Sequence, residues 1–138
     1  MLETHGVSRR LRSFNDIIQG YVFSGIYFSD RYLASHSNEV KAFLRGLVRS
    51  FDFIQTNEKA ARRHLPKYTS VSVDVAEKCA LRDLTGGGRE PLERLDHQQD
   101  LLIKYGYLKQ RTSLSGLVDY SYLPPEKKGE NRKLSSAK

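Results

Sequence analysis

The sequence predicts an α/β fold that is mostly helical, with one strand region. Residues 20–29 (GYVFSGIYFS) are rich in aromatic and β-branched residues, which is the composition of a strand or a strand pair. Residues 40–54 carry apolar side chains at helical spacing, which predicts an amphipathic helix. One strand pair does not make an independent sheet. The fold is therefore either all-α with an extended arm or part of a larger α/β architecture, and the second interpretation fits better.

The length of 138 residues predicts one domain with its own core. No stretch approaches the roughly 20 apolar residues of a membrane-spanning helix. The first residues contain arginines with no apolar segment behind them, so no secretory signal is predicted and the chain as given is expected in the cytoplasm. Cys79 is the single cysteine, which excludes an internal disulfide and a multi-cysteine zinc site.

The helix over residues 40–54 is the strongest local signal in the chain. A cluster of candidate N-caps at residues 35–38 (SHSN) precedes it. Its apolar stripe needs a covering surface, and it consists of Val40, Phe43, Leu44, Leu47, Val48, Phe51 and Ile54.

Three shorter helices are predicted after this one. The first spans residues 58–65 behind Asn57 and ends before Pro66. The second begins near Ser72, and its inward residues are Val75, Ala76 and Cys79. The third begins at residues 90–91 and stops at Gly106, a C-cap glycine. The inward residues of this last helix are predicted to be Leu92, Leu95, Leu102 and Tyr105.

The rest of the C-terminal half is predicted to be loop and tail. Residues 85–89 (TGGGR) form a connector, since they lack the spacing of a phosphate-binding loop. Residues 113–118 form a short turn of helix. Residues 124–138 are polar and charged, which predicts a disordered basic tail.

The positive charge of the chain raises the question of an anionic partner. There are 23 lysines and arginines against 16 acids, a net charge of +7, and such a balance favours anionic ligands or nucleic acid. However, residues 124–138 hold five of these cations against two acids, and the others are scattered over helix faces. A solvated basic surface without a nucleic-acid partner is therefore the prediction. A small basic helical interaction or nucleic-acid-binding protein is the alternative.

The sequence shows no catalytic constellation, so an enzyme is not predicted. The four histidines are dispersed and have no second cysteine beside them, so no metal site is expected. No nucleophile elbow is present, and no cofactor motif appears.

Candidate ligand contacts lie in the strand region instead. Aromatic and small polar residues alternate around Gly25, a mixture that lines small-molecule sites. The residues predicted to offer hydroxyls to a ligand are Tyr21, Ser24 and Tyr27. The alternative role of these residues is ordinary packing of a strand beneath helices.

Five segments in order resemble the substrate-binding proteins of ABC importers of the nitrate, sulfonate and taurine type, whose relatives bind pyrimidine precursors of thiamine. The resemblance runs from about residue 7 to residue 124. The segments are residues 20–29, 38–46 (NEVKAFLRG), 57–61 (NEKAA), 67–69 (KYT), and the closing pair 98–110 (QQDLLIKYGYLKQ) and 117–123 (LVDYSYL).

This resemblance implies the C-terminal segment of a type 2 periplasmic-binding-protein fold, in which two lobes close on a solute. Residues 1–19 would end the second-lobe segment, and residues 20–123 would supply the crossover strand and helices of the first lobe. The implied function is the solute-binding component of an importer, with a small anionic or heterocyclic solute in the interlobe cleft. The implied partner is the transporter permease, and the implied location is periplasmic or extracytoplasmic.

Family members are typically more than twice this length, so the resemblance also implies a fragment. Exposed apolar stripes then predict self-association or a partner that supplies the missing lobe. A stand-alone enzyme of thiamine-pyrimidine synthesis is the rival interpretation, and the single cysteine and scattered histidines count against it.

Overall fold

The computed structural model describes residues 3–82, 84 and 86–126. These residues form a short 3-10 helix, Phe14–Asp16, and six α-helices. The helices are α1 Asp30–Ser35, α2 Ser37–Thr56, α3 Glu58–Arg62, α4 Leu65–Tyr68, α5 Val73–Lys78 and α6 Leu92–Lys104. No strand occurs in these described ranges. The prediction of an α/β fold, and of one segment of a type 2 periplasmic-binding-protein fold, is therefore wrong for this part of the chain, which is an all-helical fold with an irregular arm before α1.

The arm, residues 21–29, is the segment that was predicted to be a strand. Its composition favours extended backbone, but a strand exists only where a second extended segment completes the ladder of hydrogen bonds. No such segment lies beside it among the described residues. The arm ends at Ser29, whose hydroxyl accepts a hydrogen bond from the Tyr32 amide at 3.3 Å and so caps α1.

The long helix α2 confirms the apolar periodicity that predicted it. Val40 is 1% exposed, and the rest of the stripe is half-buried except Phe43, which is 53% exposed. Helix α2 contacts α1 and α3, its two neighbours along the chain. The Phe28 ring, at the end of the arm, meets the Phe43 ring edge-on at 6.1 Å between centroids.

The segment after α2 departs from the prediction at Pro66. The helix predicted to run to residue 65 ends at Arg62, and Pro66 lies in the first turn of the separate helix α4. Proline is tolerated in a first turn because its missing N–H has no helical acceptor there. Ser72 precedes α5 as predicted, and Val75 and Ala76 are each 2% exposed.

The Arg62 side chain ties α3 to the end of α5. Its Nη1 donates to the carbonyl oxygens of Ala76 at 2.8 Å and Cys79 at 2.6 Å. Its Nε and Nη2 donate to the Glu58 carboxylate at 3.0 and 2.6 Å. These bonds satisfy carbonyls that a helix C-terminus leaves free. The hydrogen bond to Glu58 raises the pKa of Arg62 above its usual value.

Helix α6 organises the C-terminal segment around it. Gly106, with φ of 79°, follows its end as predicted. The Gln99 side chain is 8% exposed and accepts a hydrogen bond from the Thr112 amide at 2.8 Å. Leu92 is 43% and Tyr105 65% exposed, so the prediction that both face inward is wrong. Leu92 is the first residue of α6 and Tyr105 follows its last residue, and both lie largely in solvent.

The buried core of the described residues is small. Its fully buried apolar side chains are Val40, Val75 and Ala76. None of the helices in the described ranges has the length and apolar character needed to cross a membrane. The predicted disorder of the tail falls outside the described residues, apart from residues 124–126.

Candidate functional site

Residues 18–21, which form the base of the arm, and the first half of α6 border an open depression of about 220 Å³. Ile18 and Tyr21 line it on one side, and Glu93, Arg94 and His97 line it from α6. The two sides are more than 70 residues apart in the sequence, so only the folded chain brings them together.

Gln98 joins the two sides of this depression. Its Oε1 accepts a hydrogen bond from the Val22 N–H at 2.6 Å, and its Nε2 donates to the Val22 carbonyl oxygen at 3.2 Å. The Gln98 side-chain amide thus pairs with both the N–H and the carbonyl oxygen of Val22, two hydrogen bonds of the kind that a neighbouring strand would make. The base of the arm is therefore held at a defined distance from α6.

Gly20 allows Arg94 to lie against the backbone. Gly20 has φ of 69°, and a Cβ placed on it would lie 3.2 Å from Arg94 Nε. A larger residue would have to adopt a left-handed conformation and displace the guanidinium. Arg94 Nη1 also donates to the Glu90 carboxylate at 3.1 Å, so part of its charge is neutralised.

Tyr21 is the predicted ligand residue that the structure places in the depression. It is half-buried, and the Phe14 ring meets its ring edge-on at 4.9 Å. Such an edge-to-face contact restricts the Tyr21 ring. Its aromatic surface and hydroxyl can therefore contact a small molecule held between the arm and α6.

The other two predicted contacts lie outside the depression. Ser24 is exposed, and Tyr27 is 89% exposed with its hydroxyl turned back toward Gly25. The three residues therefore do not converge on one site. A strand would not have brought all three together either, because its alternation places Tyr21 and Tyr27 on one face and Ser24 on the other.

Sequence reasoning missed the α6 side of the depression. Arg94, His97 and Gln98 belong to a periodic helix for which the sequence analysis singled out only the inward apolar residues. Nothing local marks them as partners of the arm, because the Gln98–Val22 pair spans 76 positions. The one sequence signal for Gln98 was its position in the closing segment, residues 98–110, that resembles the family.

The lining chemistry suits recognition. Arg94 offers donors, Glu93 offers an acceptor, and the Tyr21 and His97 rings offer planar surface. The volume is below the 300–1,000 Å³ typical of drug-sized pockets, so the depression encloses a small molecule only in part. In the part of the chain that the structure describes, no group of three or more histidine, cysteine, aspartate or glutamate side chains is placed to hold a metal ion.

A second surface feature is a basic row on α2. Lys41, Arg45 and Arg49 are exposed and follow one another at four-residue spacing, which places them along one face of the helix. The Lys41 ammonium lies 5.7 Å from the centroid of the Tyr122 ring. This row is the charged surface that the alternative nucleic-acid function would use.

No protein-family model, curated protein or solved structure matches this chain. The relationship to the solute-binding proteins of ABC importers therefore stays a prediction drawn from the five segments. It bears on function as a proposal and not as an identification.

Proposed function

We propose that this chain is the C-terminal part of the solute-binding component of an ABC importer, and that Tyr21 contributes to its solute site. One observation carries the proposal. Two of the five family-like segments, residues 20–29 and 98–110, meet at the hydrogen-bonded pair of Val22 and Gln98. Both segments contribute to the lining of the depression that holds Tyr21.

The solute is a small anionic or heterocyclic molecule. The Tyr21 ring packs against its plane, and Arg94 donates hydrogen bonds to its acceptor atoms. Because the depression is open, a further polypeptide must cover the solute to exclude water. That polypeptide covers the open side of the depression, and the transporter permease receives the closed complex.

A titration of the full chain tests this function. Taurine, nitrate and an aminopyrimidine are added separately while backbone and side-chain amide resonances are followed. Binding at the site shifts the Tyr21 and Gln98 resonances, and Arg94→Gln weakens it. The variant Tyr107→Ala is the matched control, because Tyr107 is 79% exposed and lies outside the depression.

Three results would contradict the proposed function. One is the absence of shifts with all three probes. Another is a set of shifts that excludes the residues of the depression. The third is a response that the control variant removes as fully as Arg94→Gln does, which would place binding elsewhere.

The basic row on α2 favours one other function, the binding of single-stranded nucleic acid. Three cations that contact phosphates would give a slope of about −2 in a plot of log affinity against log salt. Fluorescence anisotropy with labelled oligonucleotides measures this slope, and Arg45→Gln should reduce it while Arg9→Gln should not. Absence of binding at low salt would end this alternative.

A further inference from the structure

Residues 7–18 (VSRRLRSFNDII), here called the arginine segment, carry an amphipathic pattern that the functions above leave unexplained. Its apolar residues recur at helical spacing, and they are Val7, Leu11, Phe14, Ile17 and Ile18. On a helix this spacing forms one apolar stripe. Arg9 and Arg12 would then lie on the opposite face, and Arg10 would lie at the edge of the stripe.

The structure leaves this apolar pattern without a surface to cover it. Residues 8–13 have no regular secondary structure. Leu11 is 85%, Val7 72%, Ile17 64% and Phe14 55% exposed. Within the described chain, the ring contact of this segment is the edge-on pair of Phe14 and Tyr21. The large side chains at spacings that suit one helix face therefore lie mostly in water.

The three arginines of the segment are available to an anionic partner. Residues 4–15 contain no acid, and all three arginines are exposed. None of their side chains forms an ion pair within the described part of the chain. Three cations within four positions therefore form a charged cluster that complements an anionic surface.

The C-terminal end of the segment already holds a helical turn. The Ser13 N–H donates to the Asp16 carboxylate at 2.7 Å, as in a capping box. The Ile18 N–H donates to the Phe14 carbonyl oxygen at 2.9 Å. Because the first turn is the unfavourable step of helix formation, this turn is a nucleus from which the helix can extend toward residue 7. In water the extension has no surface for its apolar stripe, and the clustered arginines repel one another.

We propose that the arginine segment binds the surface of a membrane that contains anionic phospholipids, and that residues 7–13 become helical on binding. The apolar stripe enters the boundary between headgroups and acyl chains, while the arginines meet the lipid phosphates. Arg10 reaches the phosphates from the edge of the stripe, because a long side chain extends its charged end toward water. A nucleic acid would engage the arginines but leave the stripe exposed, so a membrane surface fits both features.

Co-sedimentation of the full chain with lipid vesicles tests this proposal. The chain should bind vesicles of equimolar phosphatidylcholine and phosphatidylserine, but not vesicles of phosphatidylcholine alone. Binding should weaken as sodium chloride is added, and the amides of residues 8–13 should become protected from hydrogen exchange in the bound state. Leu11→Ser should weaken binding about tenfold, and Arg12→Gln about fivefold.

A double variant that exchanges two neighbouring residues, L11R with R12L, tests the helix itself. Its composition and charge are those of the unaltered chain, but the leucine moves to the polar face of the helix and an arginine enters the stripe. It should bind about as weakly as Leu11→Ser. The matched controls are Leu117→Ser, at a leucine 68% exposed outside the segment, and Arg45→Gln on α2, and both should bind as the unaltered chain does. Circular dichroism without vesicles checks that the variants keep their helices, since positions 11 and 12 lie outside them.

Several results would overturn the proposal. They are the absence of binding to the anionic vesicles, equal binding to both kinds of vesicle, and full binding by the exchange variant. A control that weakens binding as much as Leu11→Ser does would assign the membrane contact to another surface. Oligonucleotide binding that depends on Arg12 but not on Leu11 would assign the segment to nucleic acid if vesicles do not bind. Leu11 lies outside the depression, so these outcomes are independent of the solute titration.

Discussion

Replacing Gln98 by alanine should release the base of the arm from α6. The change removes two neutral hydrogen bonds to Val22, one at 2.6 Å and one at 3.2 Å. Each such bond contributes a net 0.5–1.5 kcal/mol, so the pair is worth about 2 kcal/mol. That free energy corresponds to a roughly 30-fold rise in the opening equilibrium of the arm.

Hydrogen exchange of the Val22 amide measures this opening directly, because exchange at a locally opening site follows the free energy of that opening. The Val22 amide should exchange roughly 30-fold faster in Gln98→Ala. Amides in α2 should keep their rates, since both side-chain hydrogen bonds of Gln98 in the described residues go to Val22. Gln110→Ala is the matched control, because Gln110 is exposed.

Two results would refute this reasoning. If the Val22 amide exchanges at the same rate in Gln98→Ala and the unaltered chain, the pair does not hold the arm. If protection falls along all of α6, Gln98 stabilises the helix and not the arm. The variant Gln98→Glu separates donor from acceptor: its carboxylate still accepts from the Val22 N–H but faces the Val22 carbonyl oxygen without a proton. Its effect at neutral pH should therefore be partial, and acidification should reduce it.

Three further changes test the packing and the charges. Val40 is 1% exposed, so Val40→Ala should lower the free energy of unfolding by about 2 kcal/mol in urea titrations. The control is Val73→Ala, at a residue 64% exposed, which should change the free energy of unfolding by less than about 0.5 kcal/mol. Tyr120→Phe removes a 2.7 Å hydrogen bond to a main-chain carbonyl at the start of α6 and should cost about 1 kcal/mol in the same assay. The hydrogen bond from Arg111 lowers the pKa of Asp100 below its usual 3.8. In the unaltered chain this hydrogen bond therefore stabilises the fold above the usual pKa of 3.8, and the stabilisation is lost as the pH falls through the lowered pKa. Thermal melts of Asp100→Asn at a series of pH values should lack this loss of stability in acid. An identical acid profile in both proteins would exclude the contribution.

The helices that the sequence predicted well are those with strong local signals. The apolar stripe of α2 repeats over four turns, and its observed span, Ser37–Thr56, contains the whole predicted stripe. The stop of α6 was predictable because Gly106 adopts a conformation that favours glycine. Such signals act between residues a few positions apart, and local sequence therefore suffices to detect them.

Short elements were predicted less well because their signals are ambiguous. Pro66 was taken as the end of a helix, but proline also suits the first turn of the next one. Helix α1 has six residues, too few to establish a helical period. Its capping residue, Ser29, was assigned to the predicted strand because it follows aromatic residues.

The prediction of a strand failed for a different reason. Composition describes what backbone a segment prefers, and the arm is indeed extended at Ser29. A strand also needs a partner with free main-chain groups at the right distance, and the described chain supplies only the Gln98 side chain. The prediction of Tyr21, Ser24 and Tyr27 as ligand contacts stays a prediction, and of the three the structure places Tyr21 in the depression.

The amino-acid sequence by itself determined the long helices, the burial of Val75 and Ala76, and the apolar, uncharged character of the arm. Only the tertiary structure decided that the arm is unpaired and that Tyr21 and Arg94 line the same depression. The physical reason is the range of the interactions. Helical hydrogen bonds and caps join residues within about four positions, whereas the contact of the arm with α6 depends on the path of the intervening helices.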